Sequence, residues 1–242
     1  MLDWLRRKPS EPPSLTLAGK TLPIILRRLP QAKRLTLRLS PDGREIRLSM
    51  PTWARTEEAL AFAHSRAEWL TAQLARHAAP LPIAHGTLIP YRGLPHRLHH
   101  APSLPRRIHV AEDRILHVGG PAEGLPARLQ RWMQAQAREF FAADLAHYCA
   151  RAGVPVPALA LSSAKARWGS CSARGVVRLN WRLVMAPDAV RRSVVAHEVA
   201  HLVHFNHSPA FHALLAALFE GDVEDANRWL KRHGRGLYAL NG

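Results

Sequence analysis

The chain is short of cysteine, of acidic side chains and of long apolar runs, and each shortage removes a class of protein. Two cysteines in 242 residues, Cys149 and Cys171, make no disulfide framework, which excludes the small stapled folds of secreted proteins. No stretch approaches the roughly 18 consecutive apolar residues that read as a bilayer-spanning helix. The start, Met1-Leu2-Asp3-Trp4-Leu5-Arg6-Arg7-Lys8, puts its positive charges after a short apolar patch, the reverse of a secretion signal. These absences point to a cytoplasmic protein with no membrane association. Asp and Glu number 18 against 34 Lys and Arg, a formal net charge of +16. The excess is mostly Arg and runs along the whole chain. It fits a nucleic acid or other polyanion as partner, or an arginine-rich composition with no binding role. No helix-turn-helix, zinc-finger or RNA-binding signature accompanies it. The 47% hydrophobic content is that of a globular chain long enough for one large or two small cores.

The informative stretch is His197-Glu198-Val199-Ala200-His201-Leu202-Val203-His204-Phe205-Asn206-His207. Two imidazoles four apart on a helix share one face about one turn apart, so both can aim a ring nitrogen at one ion. Neutral imidazole suits Zn²⁺, and three protein ligands plus a water make the catalytic pattern. Glu198, beside the first histidine, is the natural base for that water. The flanking Val194, Val195, Val199, Leu202 and Val203 leave the helix little polar face. Burying Glu198 and two histidines there is costly unless they are paired or bind metal. The reading is a zinc-dependent hydrolase acting on peptide or protein substrates.

The third ligand is a separate question. His204 shares the face of His197 and His201 but lies about 10 Å along the axis from His197, too far to close a tetrahedron on a straight helix. His207 reaches the ion if the chain turns after about Phe205, where Asn206 tolerates a left-handed conformation. Ser208 then caps a new helix with Pro209 at its first position and an apolar stripe of Phe211, Leu214, Leu215 and Leu218. The HExxHxxxxxH count is that of the metzincins, with His204 in place of their glycine. A downstream carboxylate, Glu220 or Glu224, is the alternative, as in thermolysin-like enzymes; His207 is preferred. His204, Arg167 and a tyrosine are candidate donors for a developing oxyanion; for Arg167, with Trp168, the structural role of ordering the loop beneath the metal is preferred. Asn180 either meets substrate or holds a turn. Cys171 reads as a small buried hydrophobe.

Organisation follows from periodicity. Residues 1–13 form a Pro-rich leader. Residues 14–120 read as a β-rich region with one helix near 56–77. Leu35, Leu37 and Leu39 alternate with Arg34, Thr36 and Arg38, Pro41-Asp42-Gly43-Arg44 turns, and Glu45 to Met50 returns. Thr56 is expected as helix cap, with Glu57 and Glu58 in the first turn. Further strands are expected at Thr87–Tyr91 and within Arg106–Val118, turning at Glu112-Asp113. His85, His96, His99, His100, His109 and His117 lack a ligand spacing and read as solvated strand positions. Residues 121–242 are helical and catalytic. Their first helix carries Leu129, Trp132, Met133, Phe140, Phe141 and Leu145, ends at Ala152-Gly153 and packs behind the metal helix. The fold class is α+β.

An ordered series of motifs carries a resemblance. Ala166-Arg167-Trp168-Gly169-Ser170-Cys171-Ser172 is followed by Gly175-Val176-Val177-Arg178-Leu179-Asn180-Trp181-Arg182-Leu183, then Pro187, the HExxH helix, and Asn206-His207-Ser208-Pro209-Ala210-Phe211. Upstream stand Arg27-Arg28, Ala32-Lys33-Arg34-Leu35-Thr36-Leu37-Arg38-Leu39, Pro41-Asp42-Gly43 and Pro51. Together these resemble the YgjP-like metallopeptidase family, and more distantly the SprT-like and Wss1-like zinc proteases. His212 departs from the pattern, which usually has Trp after Phe. The resemblance implies a zincin-like catalytic domain, His197, His201 and His207 as zinc ligands, and Glu198 as base. The Val176–Leu183 strand would lie along the cleft, where an edge strand can pair with an extended peptide. Two rivals remain: a nucleic-acid-associated protein whose zinc is structural, and a protease acting on DNA-bound proteins.

Overall fold

The computed structural model describes residues 12–40, 43–75 and 82–240. Most of the leader, Pro41 and Asp42 of the first turn, and the helix end near His77 lie outside them. The chain is α+β and divides into two compact units, Met1–Ala78 and Ala79–Gly242.

The first unit holds β1 (Ser14–Leu17), β2 (Lys20–Arg28), β3 (Thr36–Leu39), β4 (Ile46–Met50), α1 (Thr56–Ser65) and α2 (Ala67–Ala75). Its sheet runs β1-β2-β4-β3, with β2 and β4 parallel and the outer pairs antiparallel. Alternate residues Leu22, Ile24, Ile46, Leu48 and Met50 bury against Ala59, Ala63 and Leu70 of the helices. The single helix expected over 56–77 is two. Arg66 leaves helical dihedrals (φ −106, ψ 17), and the Ser65 hydroxyl donates to Phe62 O at 2.9 Å, a local bond that competes with the helix ladder. Arg55 rather than Thr56 precedes the first turn, with no side-chain cap.

The second unit begins with β5 (Leu88–Tyr91), β6 (Leu94–His100), β7 (His109–Val110) and β8 (Ile115–Val118), in the order β5-β6-β8-β7. This repeats the first sheet's plan: an antiparallel hairpin, a parallel neighbour and an antiparallel outer strand. Both hairpins turn on a residue-glycine pair with positive φ, Ala18-Gly19 and Arg92-Gly93, as two-residue hairpin turns require. The repeat lies in connectivity and burial pattern.

α3 (Leu125–Ala152) follows and ends at Gly153 in the left-handed conformation, as a C-terminal glycine allows. Then come β9 (Ala158–Ser162), β10 (Gly169–Cys171) and β11 (Val176–Asn180), a 3-10 turn over Trp181–Met185, α4 (Asp188–Val203), α5 (Pro209–Leu218) and α6 (Val223–His233). The units divide at Ala78/Ala79, not near residue 120, because Ile89, Leu98, Leu116 and Val118 bury in the same core as Leu129, Met133 and Phe141 of α3. The change from strand-like to helical text at 120 lies inside one core. β11 is the centre of the sheet β10-β11-β9, so it is not the edge at which an extended peptide could pair. Its parallel partner β9 is separated from it by the whole β10 segment. The strand at the edge beside α4 is β10.

Candidate metal centre

α4 is fixed before it presents a ligand. The hairpin tip of β5 and β6 docks at its start: Arg92 N donates to Val184 O at 2.9 Å and Gly93 N to Met185 O at 3.0 Å. A Cβ on Gly93 would come within 2.9 Å of Pro187 Cα, so only glycine allows this approach. Arg92 pairs with Asp188 in the first turn at 2.5 Å. Buried Arg191 pairs with that same Asp188 and, at 2.7 Å, with Asp144 of α3. Val195, Ala196, Val199 and Ala200 bury the rest of the helix in the core it shares with α3.

At its far end α4 stops at Val203, and His204 is extended (φ −126, ψ 106). The reversal uses no left-handed Asn206, since that residue is not among those with positive φ. Ser208 caps α5, its hydroxyl accepting from Phe211 N at 3.4 Å, with Pro209 following. The turn brings His207 back over α4. His197, His201 and His207 each offer one ligand atom, and these atoms lie within 4.8 Å of one another. Nε2 of His207 and Nε2 of His197 are 3.3 Å apart. Two nitrogens at 2.0–2.1 Å from one tetrahedral ion are separated by about 3.3 Å, so this edge fits zinc. His201 Nδ1 donates to His204 O at 3.0 Å, which leaves Nε2 with the lone pair a metal needs. His204 therefore serves the cluster through its carbonyl, and its ring is not part of it. Burial, reinforced by His201, His207 and His212, pushes His197 down to about 4, so its ring is neutral and ready to ligate.

Phe211 was legible as part of an apolar stripe and of the motif that begins at Asn206, but not as a neighbour of the histidines. Its ring is fully buried and lies 4.9, 4.6 and 4.8 Å from the rings of His197, His201 and His207. It is an apolar floor touching all three.

Glu198 is buried, and its Oε2 has no hydrogen-bond partner among the described residues. An orphaned carboxylate oxygen is costly and marks a place built for a group that is not protein. Burial raises the carboxyl to about 7, with Arg167 pulling the other way. Gly169 explains where the side chain rests. A Cβ there would sit 2.3 Å from Glu198 Oε1 and 2.7 Å from its Cδ and Cγ. The glycine of the Arg-Trp-Gly-Ser-Cys motif is thus a slot for Glu198, a role hidden in the sequence because the two residues are 29 positions apart.

The other expected site residues are placed as follows. Arg167 is exposed and near enough for its charge to act on Glu198. Asn180 is fully buried: its Nδ2 donates to Ala164 O at 2.8 Å and to Tyr238 Oη at 3.2 Å, and its Oδ1 accepts from Arg182 N at 3.1 Å. It holds a turn, and the substrate role is withdrawn because each polar atom is engaged. The Trp168 ring packs on Tyr238, centroids 5.6 Å apart, and its carbonyl accepts from Asn180 N, which orders the loop beneath Arg167. Burial, and then the charge of Glu198, push the Cys171 thiol up, away from thiolate chemistry. Glu220 ion-pairs with Arg192 and accepts from Tyr148 Oη at 2.9 Å. Glu224 sits in the exposed first turn of α6. Neither joins the histidine cluster, so the carboxylate alternative for the third position has no geometric support.

A family model described as YgjP-like, metallopeptidase domain, matches residues 33–233. No curated protein matches the chain, and no solved structure does. No helix among the described residues is long and apolar enough to cross a membrane.

Proposed function

The chain belongs to the YgjP-like metallopeptidase family, and from that premise we propose that it hydrolyses peptide bonds with a zinc ion held by His197, His201 and His207 and with Glu198 as general base. The observation that carries the reading is the three-imidazole cluster beside a buried carboxylate with an unpartnered oxygen. When bound there, zinc acidifies a water and polarises the scissile carbonyl, and an all-imidazole donor set suits its borderline character.

The protein's own groups divide the remaining work. Oε2 of Glu198 accepts the proton of the attacking water and returns it to the leaving nitrogen. A carboxyl raised toward neutrality is suited to both transfers at the same pH. The slot at Gly169 gives the carboxylate room to lie against β10. The floor formed by Phe211 and the carbonyl of His204 hold the imidazoles in register, so that little ordering remains when the ion binds. Arg167 is the cation nearest in effect to the base and is the donor proposed for the oxyanion.

The test is metal content and casein digestion measured together on wild type, Glu198→Gln and His207→Ala. Zinc is expected near one per chain in wild type and Glu198→Gln, reduced in His207→Ala, with digestion by wild type alone. The loss in Glu198→Gln should be on the order of 10²–10⁴-fold, the range of a general base. Full digestion by Glu198→Gln would remove Glu198 from its role, and full zinc in His207→Ala would remove the third ligand.

A further inference from the structure

The sheet β5-β6-β8-β7 carries a row of histidines that the proposed peptidase chemistry does not use. His99 of β6 stands opposite His117 of β8, and His117 opposite His109 of β7. Residues directly opposite across strands share one face of a sheet, so the three side chains rise together. His85, in the loop before β5, joins the row at its other end. The ring centroids of His85 and His99 are 5.1 Å apart, and those of His99 and His117 are 5.0 Å apart. In the cluster of His197, His201 and His207 the separations are 4.8 to 5.2 Å. These four histidines are exposed or half-buried, as expected of solvated positions, but they stand as neighbours in one row.

Two further facts point to a ligand. His85 Nδ1 donates to His100 O at 3.1 Å, which leaves Nε2 with a free lone pair. A backbone carbonyl sets the tautomer of His201 in the same way. The row is also not demanded by the sheet. The first unit has the same strand plan, and there the positions matching His99, His117 and His109 are Ile25, Arg47 and Arg38.

We propose that His99, with His85 and His117 on either side of it, forms a second site for a divalent transition-metal ion. Zn²⁺ or Cu²⁺ fits the class, since both favour imidazole nitrogen. The three rings make a line and not a triangle, so His99 supplies one ligand and a flanking ring the other, water completing the shell. Adjacent strands lie about 4.8 Å apart, and two nitrogens on one ion about 3.3 Å. Tilting of the rings through about 1.5 Å closes that difference. With two protein ligands instead of three, and with His85 exposed, this site holds its ion more weakly and exchanges it faster than the first.

The test uses the full chain, stripped of metal and titrated with Zn²⁺ by calorimetry, with electron paramagnetic resonance of added Cu²⁺ as a second readout. Wild type is expected to show two classes of site. His99→Ala should lose the weaker class and keep both the tighter one and casein digestion. His201→Ala should lose the tighter class and keep the weaker. His85→Ala and His117→Ala should each weaken the second class severalfold, and Cu²⁺ in that class should show histidine nitrogen couplings that disappear in His99→Ala. A single class in wild type, or a weaker class that survives His99→Ala unchanged, overturns the proposal.

Discussion

Replacing Gly169 by Ala separates the position of the Glu198 carboxylate, the proposed general base, from every other property of the site. The backbone accepts alanine there, because Gly169 is not among the glycines with positive φ. The added methyl, however, would lie 2.3 Å from Glu198 Oε1 and 2.7 Å from Cδ and Cγ. Ordinary contact begins near 3.5 Å, so the carboxylate must retreat by about 1 Å. It can do so by side-chain rotation, which leaves β10 and α4 where they are and limits the stability loss to about 1 kcal/mol. A misplacement of about 1 Å at a reacting group costs on the order of 10²-fold in rate, equivalent to about 2.7 kcal/mol of barrier. The variant should therefore bind zinc as wild type does, melt within a few degrees of it, and fall about a hundredfold in kcat/KM on a peptide substrate. Peptide hydrolysis, elemental zinc and thermal unfolding measured on one preparation decide the matter. Wild-type kcat/KM would refute the slot. A large drop in melting temperature or in zinc would show that strand and helix separate instead of the side chain turning.

Other substitutions test other parts. Phe211→Ala removes the ring under all three imidazoles; thermal unfolding should show a loss of about 3–5 kcal/mol, and zinc affinity by chelator competition should fall about 10–100-fold, whereas unchanged affinity would make the floor mere packing. Asn180→Ala should destabilise by about 1–3 kcal/mol through unmade hydrogen bonds yet leave KM unchanged, and a raised KM would restore a substrate role. Glu220→Gln should leave zinc at its wild-type content, and lost zinc would restore the carboxylate as third ligand. If the +16 charge serves a polyanion, the affinity for duplex DNA will fall linearly with log salt; no binding at low salt ends that idea.

What the sequence reveals about this molecule is what depends on near neighbours along the chain. The pair His197 and His201, the cap Ser208 and the stop at Gly153 are rules of a single helix, and each is readable from a few residues. The partnership of His207 with them needed only a count of six and a turn. The turn itself differs: the expected left-handed Asn206 is an extended His204, because α4 ends two residues sooner and His204 lends its carbonyl to His201. Contacts between distant segments were not readable. Asn180 is claimed by Ala164 and Tyr238, 16 and 58 positions away. The central place of β11 depends on a parallel partner, and the division at Ala78 depends on which core Ile89 and Leu98 enter. Arg66 breaks a helix through a serine bond one residue upstream, which no apolar periodicity reports.

The two sheets of like plan differ at one decisive point. In the first copy the hairpin tip is Ala18-Gly19, and in the second it is Arg92-Gly93, with Arg92 engaged by Asp188. A shared architecture thus carries two job descriptions, told apart at the tip by a single side chain. The second copy has become a bracket for α4, the helix that carries His197 and His201, and its freedom to change is narrowed accordingly: its glycine must stay small and its arginine must stay charged. The first copy carries no arginine at its tip and is free of that constraint.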